Sequence, residues 1–140
     1  MKKILLDTNA YTRLLRGDRQ ILQALGDADN IFVPVIVLGE LLAGFRGGTK
    51  ETSNRKLLEQ FLMKPRVEVA LINKDTAEIF GEIKYSLVKA GTPLPINDIW
   101  IACIALEAGA VVISYDDHFL KIPKVRVWAR LAARQAPLDN

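Results

Sequence analysis

The chain has 140 residues, half of them hydrophobic and a quarter charged, an ordinary composition for one globular domain with its own core, which excludes wholesale disorder. Its one cysteine excludes an internal disulfide framework and any multi-cysteine zinc site, and its one histidine excludes a two-histidine metal motif. Nineteen basic residues against sixteen acidic give +3, too mild to announce a nucleic-acid ligand. The longest apolar stretches, 31–38 and 99–106, fall well short of the ~20 residues that span a bilayer. At the amino end, Ile4, Leu5 and Leu6 run straight into Asp7, too short an apolar region for a signal peptide. The expected location is the cytoplasm, with no membrane contact.

Strand-like and helical segments alternate along the chain. Residues 3–6 form a short apolar strand that stops at Asp7-Thr8-Asn9. Helical stretches follow through Tyr11, Leu14 and Leu15, then through Ile21, Leu22 and Leu25. A second strand over 30–33 ends at Pro34, where a helix over 35–45 can begin, and Gly47-Gly48 breaks that helix. A helix over 49–63 precedes a third strand over 67–72, with Val67, Val69 and Leu71 on one face. Asn73 or Asp75 can cap a long helix over 76–90 closed by Gly91, with Ile79, Phe80, Ile83, Leu87 and Val88 as its apolar stripe. After the rigid segment 93–95, the helix over 97–108 is apolar nearly all round from Ile99 onward and belongs in the interior. Gly109 ends it, 110–114 is a core strand, and 125–128 is a fifth strand.

This alternation predicts one α/β domain over 1–140 with a mainly parallel sheet, because parallel neighbours need crossover helices. Ligands of such sheets sit beyond the carboxyl ends of the strands, where strand order reverses. Asp7 directly follows the first strand and Asp116 closely follows the fourth, so the two converge if those strands are neighbours. Glu40 lies in an apolar segment without another charge, and Asp98 opens the most apolar helix. Taken singly, each of the four has a structural reading as a cap, an Asx turn or a first-turn helix acid. Together they form an all-oxygen cluster whose mutual repulsion calls for a cation, and such donors suit Mg²⁺ or Mn²⁺ rather than Zn²⁺.

The motifs Leu5-Leu6-Asp7-Thr8-Asn9, Val37-Leu38-Gly39-Glu40-Leu41, Asn97-Asp98-Ile99-Trp100-Ile101-Ala102 and the stretch from Val112 through Asp116 to Phe119 occur in this order. In these residues the chain resembles the PIN-domain family, and within it the VapC toxins of toxin–antitoxin pairs. The resemblance implies a PIN-like three-layer α/β/α sandwich with a five-stranded, mainly parallel sheet. It implies a metal-dependent endoribonuclease in which Asp7, Glu40 and Asp98 match the three central acids and Asp116 the fourth, with Asp117 as the alternative. Thr8, Asn9 and Ser114 would support the site. The implied partners are RNA, a cognate VapB-type antitoxin seated in an apolar groove, and a second copy in a homodimer.

No nucleophile–base pair stands out, so water is the expected nucleophile. A metal held by carboxylates acidifies its water and offsets charge growing on the phosphate. Asp7 and Asp98 are expected to hold the principal Mg²⁺ or Mn²⁺, with Glu40 as an outer ligand or orienting the water. Asp116 would help hold that ion or a second one. Arg13, Arg16, Arg46 and Lys50 are candidate RNA-binding residues, the last two flanking the glycine pair, although for any one of them an ordinary solvated charge is the safer reading. Cys103 reads as a small core residue, Trp100 as core, and His118 as a surface or loop residue with little part in the site. Alternative functions are a PIN-like nuclease of RNA processing or DNA repair, an inactive α/β binding module, and phosphate chemistry through a covalent aspartate. Without the four acids, 12 acidic residues face 19 basic ones, a balance of +7. A concentrated acidic centre in a basic body suits a polyanion cut at a metal.

Overall fold

The computed structural model describes residues 2–128, so the single domain expected over 1–140 extends past the described residues at both ends. In chain order the elements are β1 (Lys2–Leu6), α1 (Thr8–Leu15), α2 (Arg19–Asp27), β2 (Ala28–Pro34), α3 (Val35–Gly47), α4 (Glu51–Leu62), β3 (Val67–Ala70), α5 (Lys74–Ala90), α6 (Ile96–Ala108) and β4 (Val111–Ile113), followed by a 3-10 turn (Asp117–Lys121). Local chemistry sets most of these boundaries. The Asp18 carboxylate accepts the N–H groups of Gln20 and Ile21 and starts α2. Asn73 and Thr76 form a reciprocal capping box on α5. Gly91 and Gly109 stop α5 and α6 in the left-handed conformation, at φ +67° and +69°.

The strands pair in the order β3-β2-β1-β4, all parallel. Successive residues Ile4, Leu5 and Leu6 of β1, and Ile31, Phe32 and Val33 of β2, are all buried. Neighbours on a strand point to opposite faces, so helices cover the sheet on both sides. The chain steps from β1 to β2 to β3 in one direction, then returns across the sheet to place β4 on the other side of β1. The strand order therefore reverses between β1 and β4. Their register pairs Ile4 with Val111, Leu5 with Val112 and Leu6 with Ile113, and one further step sets Asp7 beside Ser114.

Three expectations are corrected. Among the described residues the sheet has four strands, and the expected fifth over 125–128 reduces to one parallel bridge between Val112 and Val127. Successive residues of a strand direct their N–H and C=O groups to opposite edges, and β4 is three residues long. Only its central Val112 serves the outer edge, donating to Arg126 O at 2.9 Å and accepting from Trp128 N–H at 3.0 Å. The third strand ends at Ala70, where its partner β2 runs out at Pro34, which leaves Leu71 exposed. On α5, Ile83 and Leu87 are buried and Phe80 stacks on Trp100 at 4.0 Å, but Val88, one residue on around the helix, is exposed. Helix α6 is buried almost all round, with Ile99 and the run from Ile101 to Ala105 in the core. Cys103 lies in that run, and burial pushes its thiol up to about 12.

Candidate active site

Asp7 terminates β1 and caps α1. Its Oδ1 accepts the Ala10 N–H at 2.8 Å, and its Oδ2 accepts the Ser114 hydroxyl. The residue is 5 % exposed. Burial pushes its carboxyl up to about 6; the hydrogen bonds from Ser114 and Ala10 pull it down, and the charges of Asp116 and Asp98 push it up. Ser114 is fully buried, and its Oγ also accepts the Asp116 N–H at 2.9 Å. One hydroxyl thus ties the acid after β1 to the acid after β4.

Asp98 lies in the first turn of α6, half-buried, with Oδ2 2.7 Å from His118 Nδ1. Burial pushes its carboxyl above the ordinary range, the contact with His118 opposes this, and the charges of Asp116 and Glu40 add to the rise. Asp116 caps the 3-10 turn: its Oδ1 accepts the His118 N–H at 3.0 Å and also lies 3.0 Å from His118 Nδ1. One ligand atom from each of Asp98, Asp116 and His118 falls within 4.8 Å of the others. Asp117, the alternative fourth acid, is exposed in the same turn.

Glu40 differs from the sequence-based expectation. Val37, Leu41 and Phe45 form the buried face of α3, and the helical period turns Glu40 away from them to an exposed position. Apolar neighbours in sequence are not its neighbours in space. Its carboxylate accepts the Thr8 hydroxyl at Oε1 (2.6 Å) and the Asn97 amide at Oε2 (3.4 Å), so α1 and α6 both aim it. Asn9 is exposed, and its carbonyl accepts the Thr12 hydroxyl at 3.0 Å.

The four basic candidates separate. The Arg13 guanidinium sits 4.5 Å from the centroid of the Tyr115 ring, next in sequence to Asp116. Tyr115 donates its hydroxyl to Asp18 Oδ2 at 2.8 Å and packs edge-on against Trp128. Arg16 shares a shallow cleft with Arg13, Gly17 and Asp18. Arg46, 80 % exposed, instead pairs with Glu51 at 3.5 Å across the glycine break, and Lys50 lies exposed on the same α3–α4 connection. Two side chains of the cluster lie outside the set read from sequence as site residues. Asn97 had one available signal, its place directly before Asp98. His118 stands two residues beyond Asp116, a spacing that brings its ring back onto the acid in a tight turn.

Residues 4–125 match the family model of the PIN domain. Ribonuclease VapC1 of Haemophilus influenzae strain R2866 is 30 % identical over 116 residues, covering 80 % of this chain and 85 % of that protein. Ribonuclease VapC5 of Mycobacterium tuberculosis is 28 % identical over 114 residues, covering 81 % and 83 %. Among solved structures, VapBC-1 of nontypeable Haemophilus influenzae superposes with a TM-score of 0.81 at 27 % identity, covering 90 % of this chain and 96 % of that one. DNA-bound VapBC of Salmonella typhimurium gives 0.81 at 27 % identity, covering 91 % and 98 %.

Proposed function

Because the chain belongs to the PIN domain family, we propose that it is a metal-dependent endoribonuclease, the toxin of a toxin–antitoxin pair, hydrolysing RNA phosphodiester bonds with water. The observation that carries this reading is the gathering of Asp98 and Asp116 at the carboxyl edge of the sheet, with Asp7 tied to them through Ser114, which also accepts the Asp116 N–H. Electrostatic influence among these carboxylates reaches both Asp7 and Asp98. Burial is the main cause of both rises and the neighbouring carboxylates add to them, and an oxygen-rich donor set fits a hard divalent ion. Asp7, Asp98 and Asp116 would hold Mg²⁺ or Mn²⁺. When bound, the ion offsets their charge, polarises the phosphate and makes water a better nucleophile.

The chain's own residues do the positioning. Ser114 holds Asp7 and the backbone of Asp116 in one register. Glu40, exposed and aimed by Thr8 and Asn97, orients the attacking water and accepts a proton from it. Asn9 supports the turn after β1 through its backbone. Arg13 and Arg16 receive substrate phosphates beside the acids.

The partner is a VapB-type antitoxin, as the VapBC complexes among the structural neighbours support. The surface proposed for its apolar segment is the groove between α3 and α4, lined by Leu38, Leu42, Leu58 and Leu62 together with Arg55 and Glu59. The proposed working form is a homodimer in the cytoplasm. Among the described residues, no helix is long and apolar enough to cross a membrane.

The test is Asp7→Asn, which keeps the Ala10 cap through its amide oxygen. EDTA-sensitive cleavage of RNA is expected to vanish while circular dichroism shows an intact fold. Cleavage at the wild-type rate would overturn the site.

A further inference from the structure

The single histidine occupies the centre of the acidic cluster. His118 Nδ1 lies 2.7 Å from Asp98 Oδ2 and 3.0 Å from Asp116 Oδ1. Adjacent corners of an octahedral shell with bonds of ~2.1 Å are themselves about 3 Å apart. His118 Nδ1 therefore stands from each of the two carboxylate oxygens at the spacing of neighbouring donors to one ion, and one ligand atom from each of the three residues lies within 4.8 Å of the others. The ring is also held in place from its backbone outward. The His118 N–H is bonded to Asp116 Oδ1, the Asp116 N–H is bonded to buried Ser114 Oγ, and the next residue, Phe119, is fully buried.

We infer that His118 is a nitrogen ligand to the divalent ion alongside Asp98 and Asp116, and that it biases the site toward Mn²⁺ over Mg²⁺. This rests on the metal-dependent reading above. Carboxylate and water oxygens serve both ions, whereas an imidazole nitrogen suits first-row transition ions and offers little to Mg²⁺. For the ring to bind through Nδ1, that atom presents its lone pair and the proton sits on Nε2. The competing role is a hydrogen bond, in which Nδ1–H merely orients the two carboxylates.

The decisive measurement uses untagged full-length protein, whose one histidine makes ¹⁵N-histidine labelling report on His118 alone. Pulsed electron paramagnetic resonance of bound Mn²⁺ is expected to show nitrogen coupling that changes isotope pattern with the label. Calorimetric titration of His118→Ala and His118→Asn is expected to show Mn²⁺ binding weakened about tenfold or more and Mg²⁺ binding changed by less than about threefold. Mn²⁺ affinity unchanged in His118→Ala, which offers neither a ligand atom nor an N–H at this position, would overturn the ligand role. Bound Mn²⁺ without histidine coupling in the wild type would overturn this inference and leave the ribonuclease reading standing. Absence of both Mn²⁺ binding and EDTA-sensitive cleavage in the wild type would overturn both.

Discussion

Asp7 joins three parts of the molecule through one carboxylate: the end of β1, the first turn of α1 and the hydroxyl of Ser114. Its position has a measurable consequence for stability. The carboxyl is raised from 3.8 to about 6 in the folded protein, so folding favours its protonated form. That preference is fully present below about pH 4 and is lost as pH rises through about 6, a change of roughly 3 kcal/mol without metal. Other carboxyls oppose it, such as Asp18, held below the ordinary range chiefly by the Ile21 N–H. The difference between wild type and Asp7→Asn isolates the effect. In urea melts with EDTA, the variant is expected to gain relative stability between pH 4 and 6 and to hold that gain above. Ser114→Ala is expected to lower cleavage about 10- to 100-fold with RNA binding little changed, because it frees the carboxylate and the turn from each other. Ser114→Thr keeps the hydroxyl and should restore most of the activity; equal loss in both variants would refute the hydrogen-bond role.

At the scale of elements, the site depends on helices that start and stop in the right place. Gly109 links α6, which carries Asp98, to β4, which leads to Asp116. Its φ of +69° disfavours any residue with a Cβ, yet an added Cβ there meets nothing within 4 Å. Gly109→Ala is therefore expected to cost about 1–2 kcal/mol through the backbone alone, seen as a lower melting temperature with cleavage per folded molecule unchanged. The glycine stops and the Asn73 cap were readable from sequence because capping is local chemistry. The outer face of α3 was not. Its apolar composition hid the fact that Glu40 lies on the exposed side, since the buried face there is set by what α3 packs against. The shortened third strand and the lost fifth have a similar origin, because a strand lasts only as long as its neighbour offers partners.

Over the whole molecule, the acids gather at the sheet's carboxyl edge while the net charge stays at +3. A polyanion bound by this surface will show affinity that falls with salt. For single-stranded RNA each phosphate contact contributes about 0.7 to the slope of log affinity against log salt. Arg13→Gln, beside Tyr115 and the site, is expected to weaken binding and reduce that slope by about 0.7. Arg46→Gln, already paired with Glu51, should leave the slope unchanged. Fluorescence anisotropy at four or more salt concentrations checks both, and equal slopes for wild type and Arg13→Gln would remove Arg13 from the interface.

Sequence alone was enough for the alternation of strands and helices, their main caps, and the choice of Asp7, Asp98 and Asp116 as residues worth watching. Each follows from local rules: side-chain periodicity, turn chemistry, and an acid placed just after a strand. Tertiary structure decided which of these residues meet. The Asp7–Ser114 bond spans 107 positions and exists because β4 docks beside β1 after the chain has crossed the whole sheet. His118 meets Asp98, twenty positions earlier, where the 3-10 turn after β4 comes back against the start of α6, which no local pattern around either residue contains. Pairing of strands distant in sequence is fixed by the packing of both sheet faces at once, and the chemistry of the site is a consequence of that pairing.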